Sequence, residues 1–319
     1  MNSRFLKRKT KNNCALHAAS ESRLIDVRRL FCNHMAMFNI HVASVYGFCK
    51  GVESSVRTAE KMIEEAGGRP IYSIGRLVHN NRVVDDFSSR GLRVISSPDE
   101  VEPGLALIRA HGITRELKKE FEDKGFTLVD GTCRIVAANH RSCAAAVNPV
   151  LFFGIKGHAE TLSTISNCNT RCYVIETGSD FDLVEPSEYY DVVIQTTFSS
   201  VKIEEFKAII KERGMKVRYH NSICAASMRR RISVDELCRI CDTIIVVGEG
   251  QSANATELYN IVVSHGVKGY LVPGAEYLKE EMYSGKDIGV CAGASVYPKD
   301  VKDLVAALEE RGGMIVQDR

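Results

Sequence analysis

At 319 residues, 45% hydrophobic and 26% charged, the chain has the size for two or three domains and the composition of an ordinary globular protein. A formal charge of +2 gives no electrostatic reason to expect a nucleic-acid partner, and no apolar stretch approaches the roughly 18 residues that a membrane-spanning helix needs. Eleven cysteines are an odd number and no secretion signal accompanies them, so a reducing compartment with metal or redox chemistry fits better than a disulfide framework.

Charge is unevenly spread. Residues 1–38 hold eight Lys/Arg against two Asp/Glu, which leaves the remainder mildly acidic at 34 against 38. This acid-poor segment has no strand-like pattern. It reads as an N-terminal extension: a disordered segment or a mis-called start ahead of Met35 or Met37, an appendage without function, or a transit peptide that would make the protein organellar. Otherwise the chain reads as cytoplasmic and bacterial.

Beyond it, short runs rich in Val, Ile and Tyr alternate with helical patterns, the signature of βαβ units and a mostly parallel sheet. In chain order the pattern predicts strands at 41–45, 70–75, 93–97, 105–110, 126–130 and 149–155, then at 171–176, 191–196, 217–221, 242–248, 269–272 and 287–292. Helical periodicity predicts helices at 51–66, 114–124, 201–213, 226–240, 255–264 and 298–311. No Pro/Gly/Ser linker interrupts 39–312.

Three cysteines share one context. Cys49 (VYGFCKGV), Cys133 (VDGTCRIV) and Cys224 (HNSICAAS) each end a strand-like run and open a helix-like one, 84 and 91 residues apart. A thiol at a helix N-terminus is biased toward the thiolate that metals bind. A single such cysteine is more often a small buried apolar residue. Three at matching junctions favour a three-thiolate site at the centre of a quasi-threefold protein. Division at the cysteines gives four strands to 50–132 and four to 133–220, and strand 41–45, within 39–49, completes 221–312. Cys238 and Cys241 form a CxxC inside a helical run with no second pair, and are read as filler; the remaining six fit no metal spacing.

The polar residues at strand ends are the other signal, because ligands of parallel α/β sheets collect there. His79, His111 and His158 all lie at or shortly after strand-like runs, where an imidazole can donate to a phosphate or move a proton. Each alone reads as a satisfied structural histidine; together they suggest an anionic ligand. Glu160 lies in the loop after VLFFGI, as a solvated carboxylate or as a proton donor with a raised pKa. Two Gly-containing strand–loop–helix segments, with Ser252 and Asn254 in one and Ser295 in the other, are suited to phosphate through backbone N–H groups and short polar side chains. The bland alternative is capping, Asn254 with Glu257 resembling a capping box. Thr196 and Thr197 end a strand, as ordinary strand-end residues or a hydroxyl relay.

Taken in order, GFCKGV, LVHN, AHGI, DGTC, GHAE, QTT, ICAAS, QSAN and AGAS resemble the motifs of the LytB-type 4-hydroxy-3-methylbut-2-enyl diphosphate reductases. The resemblance covers roughly 38–312. It implies an α/β fold of three similar domains with mostly parallel four-stranded sheets, a pseudo-threefold trefoil around a central iron–sulfur cluster. It implies that Cys49, Cys133 and Cys224 hold a 4Fe–4S cluster whose fourth iron takes the substrate's allylic oxygen. By the same resemblance His79, His111, His158, Ser252, Asn254 and Ser295 bind the diphosphate, and Glu160, with Thr196 and His158, delivers the proton that lets hydroxide leave as water. The electron donor is expected to be a ferredoxin or flavodoxin, with neither nucleic acid nor membrane as partner. The chain departs from the family pattern at Arg134 and Ala159, where prolines are usual, at Ala253, where a hydroxyl is usual, and at GEGQ before it. These bear on turnover and affinity more than on reaction class. A divergent non-catalytic iron–sulfur sensor or ligand-binding protein, and a structural three-cysteine zinc site, are the alternatives.

Overall fold

The computed structural model describes residues 38–221 and 223–316; the N-terminal extension, apart from Phe38, lies outside them. Strand β1 (Phe38–Val42) leads through a turn to α1 (Lys50–Glu65), and then β2 (Ile71–Ile74), α2 (Asn81–Ser89), β3 (Leu92–Ile95), β4 (Leu105–Ile108), α3 (Arg115–Asp123) and β5 (Thr127–Asp130) follow. The next stretch runs α4 (Arg134–Ala145), β6 (Val150–Phe153), α5 (Ala159–Ile165), β7 (Cys172–Ile175), β8 (Tyr190–Ile194), α6 (Ser200–Glu212) and β9 (Val217–Tyr219). The last comprises α7 (Ala225–Cys238), β10 (Thr243–Val247), α8 (Ala253–Ser264), β11 (Lys268–Val272), β12 (Asp287–Ala292), α9 (Pro298–Glu309) and β13 (Gly313–Ile315).

The strands form three sheets in the orders β3-β2-β4-β5, β7-β6-β8-β9 and β11-β10-β12-β1-β13, and every pairing is parallel. The first four strands of each sheet follow one order, with β1 standing where β5 and β9 stand. Central strands such as LALI in β4, VLFF in β6 and TIIVV in β10 are buried along their whole length because helices cover both faces. Phe153, Phe181 and Phe206 meet edge-to-face at 5.1–6.3 Å and fill the middle unit's core.

The third sheet has a fifth strand that the sequence pattern does not predict. β13 is three residues long and is held by its register with Phe38–Ile40 rather than by any run of its own. Helices α2, α4 and α5 are likewise absent from the predicted set. α5 is seven residues, shorter than the window that periodicity needs, and α4 (RIVAANHRSCAA) is too rich in Ala and polar residues to show an apolar stripe. β1 begins three residues before its predicted start.

Candidate active site

The three units place equivalent residues at equivalent points. After the central strands β2, β6 and β10 the chain reaches His79 and the N-caps Asn80, His158 and Ser252, which open α2, α5 and α8. Two residues past β4, β8 and β12 lie Ala110, Thr196 and Ala294, whose carbonyls accept the backbone N–H of Cys133, Cys224 and Cys49, each at 3.0 Å. All three cysteines are half-buried free thiols in the N-cap position of α4, α7 and α1. The Cys49 Sγ accepts the Val52 N–H at 3.4 Å, capping its own helix.

These points meet in one cavity of about 90 Å³, lined by all three cysteines and by every other residue singled out above for binding or catalysis. Gly51 lets the ring close: a Cβ there would lie 2.6 Å from the Cys133 Sγ. Burial pushes the Cys133 thiol up. Among the described residues no three His, Cys, Asp or Glu converge tightly enough for a single ion; the cysteines ring the cavity rather than meet at a point. A larger open groove, about 740 Å³, runs along the outer face of α1, but there Arg57 and Lys61 pair with Glu53 and Glu65 in solvent. The buried polar groups converge in the smaller cavity.

One side of that cavity is a row of imidazoles. His79 and His111 have ring centroids 5.7 Å apart, and His111 and His158 5.4 Å. Burial, then the Arg109 and Arg76 charges, lowers His79; burial, then Arg109 and its fellow histidines, holds His111 well below its ordinary value. His158 is lowered to about 4 by burial, His79 and Arg109. All three are therefore neutral at pH 7. The His158 Nδ1 accepts the Glu160 N–H and the Gln195 side-chain amide, both at 3.2 Å, which assigns its proton to Nε2.

Glu160, read as a loop residue, lies in the first turn of α5 and is 1% exposed. Burial raises its carboxyl to about 7 against the two opposing bonds from Thr196, whose N–H and Oγ1 reach the two carboxyl oxygens at 2.7 Å each. On the opposite side, Ser252 and Ser295 face each other at 3.5 Å, and the Asn254 Oδ1 accepts the Ala294 N–H at 2.8 Å. The capping residue of α8 is Ser252, which accepts the Ala255 N–H at 3.4 Å, and not Asn254, which sits in the first turn. Ala253 lines the cavity where a hydroxyl was expected, and Ala159 occupies the first helical position of α5.

Sequence reasoning overlooked three supporting residues. Gln195 joins His158, Thr197, Thr161 and the Ile155 N–H in one network; it stands in the QTT motif but carries no charge to draw notice. Asn80 caps α2 beside His79, and the LVHN motif contained it. Arg109 stands behind the histidines, its guanidinium against Gly75, and only its place before AHGI hinted at this. Cys238 and Cys241 pack with Val234 and Leu237, as filler does.

The comparisons with known proteins agree with this geometry. The family described as LytB protein matches residues 40–309. The chain belongs to the LytB family. It is similar to the 4-hydroxy-3-methylbut-2-enyl diphosphate reductase of Neisseria gonorrhoeae, with 32% identity over 88% of this chain and 89% of that one. The same-named protein of a Polaromonas species is 31% identical over 87% and 86%. Among solved structures, a (E)-4-hydroxy-3-methyl-but-2-enyl diphosphate reductase described as the terminal enzyme of the non-mevalonate pathway superposes with a TM-score of 0.64 at 30% identity, covering 86% of this chain and 99% of that one. The Plasmodium falciparum reductase structure reaches a TM-score of 0.82 over 88% and 93%, and at 22% identity it speaks for the LytB fold alone. Among the described residues no helix is long and apolar enough to cross a membrane.

Proposed function

We propose that this LytB-family chain is an oxidoreductase that removes the hydroxyl of (E)-4-hydroxy-3-methylbut-2-enyl diphosphate reductively, giving isopentenyl and dimethylallyl diphosphates. The observation that carries this reading is a buried carboxyl raised to about 7 in the same cavity as three helix-capping thiols and a row of neutral donors. The donor set fits an iron–sulfur cluster. It offers three free thiols ringed around a cavity, each placed by an equivalent strand-end carbonyl, and Gly51 leaves the room a Cβ would fill. Cys49, Cys133 and Cys224 would hold a 4Fe–4S cluster. When bound, it supplies electrons and a Lewis-acidic iron without a protein ligand.

The remaining chemistry belongs to the chain. His79, His111, His158, Ser252, Asn254 and Ser295 bind the diphosphate with uncharged donors, and the backbone N–H groups that open α8 add to them. Neutral Glu160 holds the proton. In the acid its contact to Thr196 Oγ1 reverses, the carboxyl O–H donating to the hydroxyl, and the hydroxyl proton is free to turn into the cavity. Proton delivery to the departing oxygen then runs from Glu160 through Thr196, while Gln195 fixes the tautomer of His158. The division at 50–132, 133–220 and 221–312 with 39–49 belongs to this proposal, supported by the repeated strand order. So do a ferredoxin or flavodoxin as electron donor and a cytoplasmic location. Anaerobic purification tests the reading: a brown protein with the broad iron–sulfur absorbance and viologen-driven turnover of the diphosphate is expected. A colourless zinc protein, or a brown one inert toward the diphosphate, would overturn it.

A further inference from the structure

Arg230 is a buried cation that the mechanism above does not use. It lies on α7, six residues past Cys224, and is 2% exposed. Its guanidinium donates through Nη2 to the Gly47 carbonyl at 2.5 Å and through Nη1 to the Ala226 carbonyl at 3.3 Å, while its Nε is buried with no partner. Gly47 lies two residues before Cys49 in a left-handed turn, φ +77°, so this one side chain ties the turn that presents Cys49 to the helix that Cys224 caps. Among the described residues it forms no carboxylate ion pair. The acidic groups that bear on it are the Cys49 and Cys224 thiols, and the nearby charge of Arg229 is of its own sign.

A buried guanidinium demands a counter-charge, and two bonds to carbonyl dipoles do not supply one. Three thiolates gathered on a cluster would. We propose that Arg230 is the fixed counter-charge of the cluster held by Cys49, Cys133 and Cys224, raising its reduction potential and tying the turn that carries Cys49 to the helix that Cys224 caps. The inference rests on the reading of the cysteine ring given above. Reduction adds negative charge to the cluster, and a permanent cation beside it favours the reduced state. Arg serves better than Lys because its planar fork reaches both carbonyls at once. Arg230 is thus a positioning residue, acting on the ligands rather than on substrate.

The test is a potentiometric titration of anaerobically purified holoprotein, followed by electron paramagnetic resonance, together with the rate at which a chelator strips the iron. R230Q is expected to shift the midpoint potential to more negative values and to release iron faster. R230K, which keeps the cation and loses the fork, is expected to restore the potential while still releasing iron faster than wild type. A loaded R230Q with the wild-type potential overturns the proposal. If R230Q does not fold, R230K decides: faster release at unchanged potential is expected, and wild-type release or a lowered potential overturns it. Wild-type protein that takes up no iron and sulfide would instead sink the reading of the cysteine ring.

Discussion

Glu160 shows what a single residue acquires only from its surroundings. In the sequence it is a glutamate two positions after a histidine; in the fold it is a carboxyl out of reach of water, 1% exposed. Burial outweighs the two Thr196 hydrogen bonds, which favour the charged form, and the result is a group that titrates at about 7. A proton donor must be protonated, so turnover of the loaded enzyme should fall as pH rises through about 7, with an acid-side plateau; a flat profile from pH 6 to 8 would contradict the role. Glu160→Gln should keep the cluster absorbance and lose on the order of 10²- to 10⁴-fold in kcat, the usual worth of a positioned general acid. The same shift governs stability. Because the folded pKa exceeds the ordinary value of 4.5, the folded chain holds this proton more firmly than the unfolded one. That contribution is full below 4.5, fades as pH climbs to about 7 and is gone above it, on the order of 3 kcal/mol in all. The Tm of wild type should therefore drop relative to Glu160→Gln between pH 5 and 8.

At the scale of the element, the recurring device is a strand, a turn and a helix whose first cap is a cysteine. The junction was legible because each cysteine closes a β-like run and opens a helical one, and the structure places all three at helix N-caps. Helix α1 shows what such a junction demands. Gly51 lies in its first turn, where Ala has the better helix propensity by roughly 0.5–1 kcal/mol. The space decides otherwise, since a Cβ would sit 2.6 Å from the Cys133 Sγ and 3.0 Å from its Cβ. Gly51→Ala should accordingly bind less than half the wild-type iron per chain, measured after anaerobic reconstitution, although the helix itself is favoured. Full occupancy would show that the ring tolerates a wider opening. α5 marks the limit of sequence reasoning: seven residues give no periodicity, so His158 and Glu160 read as loop until the cap geometry appears.

The molecule as a whole joins its units through a few buried polar seams. Asn80 donates to Asp300 at 2.8 Å and Arg82 pairs with the same carboxylate at 3.1 Å, fastening α2 to α9. Ser163 donates to the His111 carbonyl at 2.6 Å, and Arg231 to the Phe198 carbonyl at 2.6 Å, closing the other two seams. Asp300 is 4% exposed, so Asp300→Ala leaves the Asn80 amide without an acceptor at a cost of about 1–3 kcal/mol. Because Asn80 adjoins His79, the same variant should raise KM for the diphosphate more than it lowers kcat. Equal changes in both would place the seam outside the binding site.

The sequence by itself determined the parallel α/β class, nearly all the strands, the three cysteines and the family, because periodicity, cap chemistry and motif order are local properties of the chain. Tertiary structure alone decided the fifth strand β13, the neutral state of the three histidines, the raised pKa of Glu160 and the burial of Arg230. Each of these depends on which side chains distant in the sequence exclude water from a group. That exclusion, rather than residue identity, sets the charge a site carries.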